Sequence, residues 1–371
     1  MSQLGGPLVR GVDCPADAEH LDGIATFHLL ATPDGLVSDV ARARGMATAC
    51  LFESDAGGST LWRHTTLLGK QSDGVRDARL VLRHVTTVGN YDYVTEFRFG
   101  VDGAIDTHFN FAGFCETRWH DAAVSPEEGA RANGSLSEIV RPHLAAPLHA
   151  HFGAFKLDLD VLGEANVFEV MRARVGALDD VAGTDAIATK YLDTAIVPRE
   201  GARKSTRIAD ARAPALWRVA NRRAAAPGAA RGASAASRAP GYAIVPTSAT
   251  VVNTLPADHP FVLPAAFSKY TLAVTRRHDD EPRISSVYDL YAPAEPTVSI
   301  DDFLTDGESL EDVDVVAWLS LGKEHIPRTE DMPLISSSMG VSFSLLPWNI
   351  FDGHAAMDIP TEPAADCVTE L

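Results

Sequence analysis

The stretch VTEFRFGVDGAIDTHFNFA, residues 94–112, is the clearest indicator of fold in this chain of 371 residues. On both sides of Asp102-Gly103, mostly apolar side chains occupy every second position, with polar residues between them. A period of two indicates strands that bury one face, and an Asp-Gly pair between two such runs is a common hairpin turn. The stretch therefore predicts an antiparallel hairpin within a larger sheet.

Similar patterns predict further strands along the chain. Residues 79–85 and 315–319 are rich in Leu and Val, and residues 155–161 alternate apolar and charged side chains. Short helices are expected only near 126–132 and 300–304. Because alternating patterns dominate and helical periodicity is scarce, the predicted fold class is all-β with few short helices.

Residues 222–241 interrupt this pattern with a segment of low complexity. The segment is rich in Ala, Arg, Gly and Pro and lacks large apolar side chains. Such a composition buries too little surface to offset the entropy lost on ordering. We expect a long flexible loop at the surface of one domain, and not a linker between two domains.

The charge balance limits the classes of partner. The chain carries 32 Lys and Arg residues against 50 Asp and Glu residues, for a net charge of −18. This balance argues against nucleic acid or an anionic membrane as partner. No apolar run is long enough for a transmembrane helix, and the N-terminus lacks the pattern of a secretory signal. We expect a soluble protein, and the sequence leaves its compartment unknown.

Potential metal ligands and a distinctive tyrosine lie outside the hairpin. The hairpin is preceded by Thr87-Val88-Gly89-Asn90-Tyr91-Asp92-Tyr93, which by itself suits a turn before a strand. His149 and His151 are two residues apart, so on one strand both imidazoles point to the same face. His325 opens the segment His-Ile-Pro-Arg-Thr-Glu-Asp-Met-Pro. Imidazole is a good ligand for transition metals, so the imidazoles of His149 and His151 can reach one ion.

In their order and their flanking residues, these three segments resemble the copper amine oxidases. That family has a Thr-x-x-Asn-Tyr-(Asp/Glu) motif, whose tyrosine is oxidised in place to topaquinone, and a His-x-Pro-Arg-x-Glu-Asp-x-Pro segment. The resemblance implies a topaquinone formed from Tyr91, with Asn90 and Asp92 beside it. It implies Cu²⁺ bound by three histidines: His149, His151 and His325.

The resemblance extends over most of the chain, from about Gly11 to Pro360. Residues 341–352 are similar to the closing strand of the family, and residues 357–360 to its final turn. The implied fold is a large antiparallel β-sandwich that forms a homodimer. The implied reaction is the oxidation of a primary amine by O₂ to an aldehyde, with release of ammonia and hydrogen peroxide.

Two further sites follow from the resemblance. A calcium site is implied, built from three carboxylates and two backbone carbonyls of Asp158, Leu159, Asp160, Asp314 and Val315. Hard oxygen ligands suit Ca²⁺, although two Asp on a solvated strand face are the simpler alternative.

A disulfide between Cys14 and Cys50 is also implied, with Val12 at the position of the first Cys in the Gly-Cys-Asp-Cys segment of the family. Composition alone would leave both as free thiols, the usual state in a reducing compartment.

The N-terminal part departs from the family. The catalytic Asp of the family precedes that cysteine segment by more residues than lie before Cys14 here, and Asp13 belongs to the segment itself. We therefore expect residues 1–371 to form a catalytic domain without its N-terminal start, with impaired amine oxidation. The alternatives are a catalytically inactive copper-binding homologue and an incomplete gene product.

Overall fold

Antiparallel sheets account for most of the structure. A computed structural model describes residues 8–28, 40–65, 72–121, 123–125, 137–178, 187–210, 214–224, 239–248, 254–286, 289 and 293–359. In chain order the strands are β1 (Glu19–His28), β2 (Val40–Thr65), β3 (Ser72–Val88), β4 (Tyr91–Gly100), β5 (Ile105–Phe114), β6 (Arg118–Trp119), β7 (Ser137–Arg141), β8 (Leu144–Pro147), β9 (His149–Asp158), β10 (Asn166–Leu178), β11 (Ile187–Ile196), β12 (Thr206–Arg207), β13 (Leu216–Ala220), β14 (Gly241–Pro246), β15 (Leu272–Arg276), β16 (Glu311–Val313), β17 (Val315–His325) and β18 (Leu334–Trp348).

The largest sheet has the strand order β1-β2-β3-β4-β5-β18-β14-β13-β10-β11, with β16 paired to β10. A second sheet has the order β12-β15-β17-β9, and a third, smaller one has the order β6-β8-β7. The helices of the described residues are short: Leu263–Lys269, Ile300–Phe303, Thr329–Asp331 and Ala355–Asp358. The all-β prediction is thus confirmed, and so is the short helix near 300–304.

The predicted hairpin is formed by β4 and β5. Their register places Tyr91 opposite Gly113 and Phe99 opposite Ile105. In the turn, the Ala104 backbone N–H donates to Asp102 Oδ1 at 3.1 Å. A positive φ of 80° at Gly103 suits glycine, which has no Cβ to oppose it. This hairpin sets the position of Tyr91 at the first residue of β4.

The main hydrophobic core lies between the largest sheet and the second sheet. Phe168 of β10 and Phe343 of β18 pack in one buried cluster with Val274 of β15 and with Leu319 and Leu321 of β17. Side chains from both sheets therefore meet in one layer, as in a β-sandwich. The predicted antiparallel β-sandwich is confirmed.

One predicted strand has different bounds in the structure, and two predicted elements lie largely outside the described residues. The strand expected over 155–161 begins earlier, at His149, and ends at Asp158. The chain turns after that residue, with positive φ at Leu162 (53°) and Gly163 (117°). The helix expected near 126–132 and most of the loop expected at 222–241 lie outside the described residues, although Gly241 itself starts β14.

A buried ion pair joins two strands of the largest sheet. Arg218 of β13 and Glu169 of β10 both have fully buried side chains. The Arg218 Nε donates to Glu169 Oε2 at 2.8 Å, and Arg222 Nε donates to the other carboxylate oxygen at 2.7 Å. Loss of Arg218 would leave the buried Glu169 carboxylate with only the partly exposed Arg222 as its ionic partner, which is strongly destabilising.

We expect Arg218→Met to lower the free energy of unfolding by about 3–5 kcal/mol. The matched control is Arg174→Met, because Arg174 pairs with Asp193 at 3.2 Å with both side chains about half exposed. The control should change stability by less than about 1 kcal/mol. Urea unfolding of both variants measures the difference, and equal effects would contradict the prediction.

Candidate metal centre

The pairing of β9 with β17 brings three histidines together. In its register, His149 at the start of β9 lies opposite His325 at the end of β17. His151 follows two residues later on the same face of β9. One nitrogen atom from each of the three imidazoles lies within 4.8 Å of the others. The sequence-predicted ligands thus converge at one point between the two large sheets.

Tyr91 reaches this point from the opposite sheet. Its hydroxyl lies 3.0 Å from His149 Nε2, and its ring centroid lies 4.8 Å from that of His151. The backbone N–H of Glu116 donates to the same hydroxyl at 3.3 Å. Tyr91 is buried, and burial is the main reason that its pKa rises to about 12. The phenol is therefore protonated at neutral pH and oriented toward the histidines.

Asn90 and Asp92 fix the backbone around Tyr91. The Asn90 side chain donates to the Phe114 carbonyl at 2.5 Å, and the Asn90 carbonyl accepts from the Phe114 backbone N–H at 2.8 Å. Thr87 Oγ1 donates to Asp92 Oδ1 at 2.5 Å. Since Asp92 follows Tyr91 on the same strand, its side chain points to the other face of the sheet. Both residues tie β4 to its neighbours where Tyr91 must be held.

In each imidazole, the outer nitrogen is the one that points away from the place where the three histidines converge. His149 and His325 each have a hydrogen-bond acceptor on this nitrogen. His149 Nδ1 donates to the Pro147 carbonyl at 2.8 Å, and His325 Nε2 donates to Asp331 Oδ2 at 3.2 Å. Sequence reasoning identified the Asp331 segment but assigned this carboxylate no role. Partners of this kind orient metal-binding imidazoles and set their tautomers.

The inner nitrogens fit a metal ion. His151 Nε2 is fully buried and has no hydrogen-bond partner among the described residues. Burial, followed by the other two histidines, lowers the pKa of His151 to about 4. Burial also lowers the pKa of His325, although Asp331 opposes that change. Neutral imidazoles with inward lone pairs are the donor set that copper and similar transition metals require.

A cluster of three carboxylates lies at the other end of β9. Oxygen atoms of Asp158, Asp160 and Asp314 lie within 4.8 Å of one another. Burial, and then the charges of the other two, raise the pKa of Asp314. Arg277 Nε lies 3.3 Å from Asp158 Oδ2 and 3.8 Å from Asp314 Oδ2, so its guanidinium neutralises part of the cluster.

The two residues predicted to supply carbonyls flank this cluster. The carbonyl of Leu159 accepts a hydrogen bond from the Val161 backbone N–H at 2.9 Å. Val315 is the first residue of β17 and directly follows Asp314. A carbonyl oxygen has two lone pairs, so the hydrogen bond to Leu159 leaves one available to a cation.

A second acidic cluster was not predicted from the sequence. Carboxylate oxygens of Glu200, Asp306 and Glu308 lie within 4.8 Å of one another. Glu200 accepts hydrogen bonds from the backbone N–H groups of Arg276 at 2.6 Å and Glu308 at 3.3 Å. Burial, and then the hydrogen bond with Asp306, raise the pKa of Glu200 to about 7. The only sequence signal was the pair of acidic residues on either side of Gly307.

The disulfide prediction is confirmed, since Cys14 and Cys50 are bonded. Both cysteines are buried in a small cluster with Leu8 and Ala18. Cys115 is a free, buried thiol in the same hydrophobic cluster as Tyr91. Burial is the main reason that its pKa rises to about 11.

In the described part of the chain, every helix is too short or too polar to cross a lipid bilayer.

A buried tyrosine that faces three converging imidazoles inside a β-sandwich forms a candidate metal site with an oxidisable side chain beside it. The sequence matches the family described as copper amine oxidase, enzyme domain, over residues 1–366. The chain belongs to this family, whose cofactors are copper and topaquinone.

Curated relatives agree with this assignment. The liver isozyme of primary amine oxidase from Bos taurus is 30% identical over 96% of this chain and 43% of that protein. The copper-containing amine oxidase 3 of Homo sapiens is 30% identical over 95% of this chain and 42% of that protein. The chain thus spans less than half the length of these curated relatives.

Among solved structures, Aspergillus nidulans amine oxidase superposes with a TM-score of 0.78 at 24% identity, over 95% of this chain and 43% of that one. Pichia pastoris lysyl oxidase gives a TM-score of 0.77 at 24% identity, over 95% of this chain and 44% of that one. These likenesses establish the shared fold.

We expect Glu200→Gln to change how stability depends on pH. The pKa of Glu200 is about 7 in the fold against 4.5 for an ordinary Glu, so folding favours the protonated carboxyl. The stability from that protonation is fully present below about pH 4.5 and is lost as the pH rises through about 7. Glutamine is always neutral, so the variant should gain stability over the wild type across that range.

Urea unfolding at several pH values, in buffer with a chelator, measures this difference. The control is Glu138→Gln, because Glu138 is an exposed residue of β7. A constant difference between Glu200→Gln and the wild type from about pH 4.5 to 7.5 would contradict the pKa order on which the prediction depends.

Proposed function

We propose that this chain is the catalytic domain of a primary-amine oxidase that depends on copper and topaquinone. The copper ligands are His149, His151 and His325, and the quinone precursor is Tyr91. The observation that carries the proposal is the position of the Tyr91 hydroxyl, 3.0 Å from His149 Nε2 where the three imidazoles converge. A buried tyrosine with only a structural role would not require three imidazoles to converge at its hydroxyl.

The residues around Tyr91 have separate tasks. When present, copper with O₂ supplies the oxidation of the Tyr91 ring, and the resulting quinone accepts electrons from the amine. The Glu116 backbone N–H and His149 orient the phenol oxygen. Val140 and Ile335 are buried in the cluster around Tyr91 and exclude water from the ring.

The proposed reaction consumes a primary amine, O₂ and water and produces an aldehyde, ammonia and hydrogen peroxide. Removal of the proton next to the amine nitrogen requires a base within hydrogen-bond distance. We propose that quinone formation, which needs only copper, O₂ and Tyr91, proceeds in this chain even where amine turnover is slow.

We expect aerobic loading of the metal-free protein with Cu²⁺ to oxidise Tyr91. The product should absorb visible light, react with an arylhydrazine and show an increased mass on the peptide that contains Tyr91. Tyr91→Phe should show none of these changes, while Tyr270→Phe, which removes a phenol that donates to Asp301, should behave as the wild type.

Two outcomes would contradict the proposal in different ways. Stoichiometric copper binding with an unmodified Tyr91 would favour a copper-binding homologue without enzymatic activity. Failure of the folded wild type to bind Cu²⁺ would show that the three histidines do not form a copper site. Peroxide release from benzylamine or methylamine, measured on the same samples, tests turnover separately from quinone formation.

We further propose that Asp158, Asp160 and Asp314 bind Ca²⁺ together with the carbonyls of Leu159 and Val315. The support is the convergence of the exposed Asp158 and Asp160 with the half-buried Asp314, whose pKa is raised by burial and then by repulsion from the other two carboxylates. A divalent cation would relieve this repulsion and compete with Arg277 for Asp158.

The family resemblance also supports a homodimer, which sedimentation velocity would test.

We expect Ca²⁺ to raise the melting temperature of the metal-free wild type. A ligand that binds only the folded state adds about 2.7 kcal/mol at one hundred times its Kd. Asp160→Asn should weaken this response, while Asp55→Asn should preserve it, because Asp55 lies in an exposed ion pair with Arg76. An equal response to Mg²⁺, or an equal response of both variants, would count against the site.

A further inference from the structure

The outer nitrogen of His151 differs from those of the other two histidines in its partner. His151 Nδ1 lies 3.4 Å from the hydroxyl of Tyr93. The corresponding partners of His149 and His325 are the Pro147 carbonyl and the Asp331 carboxylate. A carbonyl and a carboxylate only accept hydrogen bonds, so they keep the proton on the outer nitrogen. A hydroxyl can donate or accept, so it is compatible with either tautomer of His151.

The inner nitrogen of His151 decides between these tautomers. His151 Nε2 is fully buried and has no hydrogen-bond partner among the described residues. A proton on Nε2 would be a buried donor without a partner, which costs about 1–3 kcal/mol. A bare nitrogen there is an under-satisfied acceptor, which folded proteins tolerate better than an orphaned N–H. The proton is therefore more stable on Nδ1, where the Tyr93 oxygen accepts it.

Packing holds Tyr93 in place for this contact. Its ring stacks on that of Phe109, with centroids 5.4 Å apart and planes inclined by 13°. It also meets the Phe111 ring edge-on at 5.8 Å. Since Tyr93 is two residues from Tyr91 on β4, both tyrosines point toward the histidines from the same face of one strand.

We propose that Tyr93 is a positioning residue for His151. Its phenol oxygen accepts the Nδ1 proton and so keeps the Nε2 lone pair directed at the point where the three histidines converge. The inference rests on the proposed copper site for its purpose, but the hydrogen bond exists in the metal-free protein and can be tested there. Among the three histidines, the Tyr93 hydroxyl is hydrogen-bonded to His151, so Tyr93 acts through that histidine.

Tyr93→Phe removes the hydroxyl and keeps the stacked ring. In metal-free protein labelled with [¹⁵N]histidine, long-range ¹H–¹⁵N spectra distinguish an imidazole protonated on Nδ1 from one protonated on Nε2. The wild type should show His151 protonated on Nδ1, and Tyr93→Phe should shift the population toward Nε2. The spectrum of His151→Gln identifies the signals of His151, and Tyr270→Phe is the control for loss of a distant phenol hydroxyl.

Copper affinity provides a second measurement. Loss of a partner that orients a metal-binding histidine typically weakens binding by about 10–100-fold. Because the Tyr93 contact is long, we expect Tyr93→Phe to weaken Cu²⁺ binding by about tenfold in competition with a chelator. Tyr270→Phe should bind as the wild type does. Melting temperatures of the metal-free variants confirm that each one is folded.

The outcomes separate this inference from the proposed function. An unchanged His151 tautomer in Tyr93→Phe, or a wild-type His151 protonated on Nε2, would overturn the inference and leave the copper site standing. Equal copper affinity of wild type and Tyr93→Phe would overturn it as well. A wild type that binds no Cu²⁺ would overturn the proposed function, and the tautomer measurement would still decide whether Tyr93 sets the proton on His151.

Discussion

The antiparallel pairing of β9 with β17 is the constraint on which the candidate site depends. It places His149 opposite His325 and, through the two-residue period of a strand, adds His151 on the same face. Both strands contribute buried side chains to the main core, so the packing that fixes their register also fixes the imidazoles. A slip of one residue would turn the histidines of β9 to the opposite face and separate them from Tyr91.

The two ends of β9 offer different chemistry. The first residues of the strand present imidazole nitrogens, and the carboxylates of Asp158 and Asp160 lie at its end. At about 3.3 Å per residue, a strand of this length separates the two groups by roughly 30 Å. Soft and hard metal ions would thus bind at distant points of one rigid element, and neither site could supply a ligand to the other.

The sequence predicted the parts of the site that local motifs specify. The spacing of His149 and His151 and the residues around Tyr91 are informative by themselves, and the β4–β5 hairpin follows from alternation around one Asp-Gly pair. The convergence of Glu200 with Asp306 depends on register between distant segments, which no local pattern encodes. The contact of Tyr93 with His151 was missed because an aromatic residue on a strand usually indicates only core packing.

Cys115 shows how the burial of the site affects an oxidisable neighbour. Its thiol lies in the cluster that surrounds Tyr91, where the proposed reaction would release hydrogen peroxide. Peroxide attacks the thiolate and not the thiol. Because burial raises the pKa of Cys115 to about 11, only about one thiol in ten thousand is ionised at neutral pH. The apolar environment of the tyrosine therefore also protects this cysteine from sulfenic acid formation by the product of the proposed enzyme.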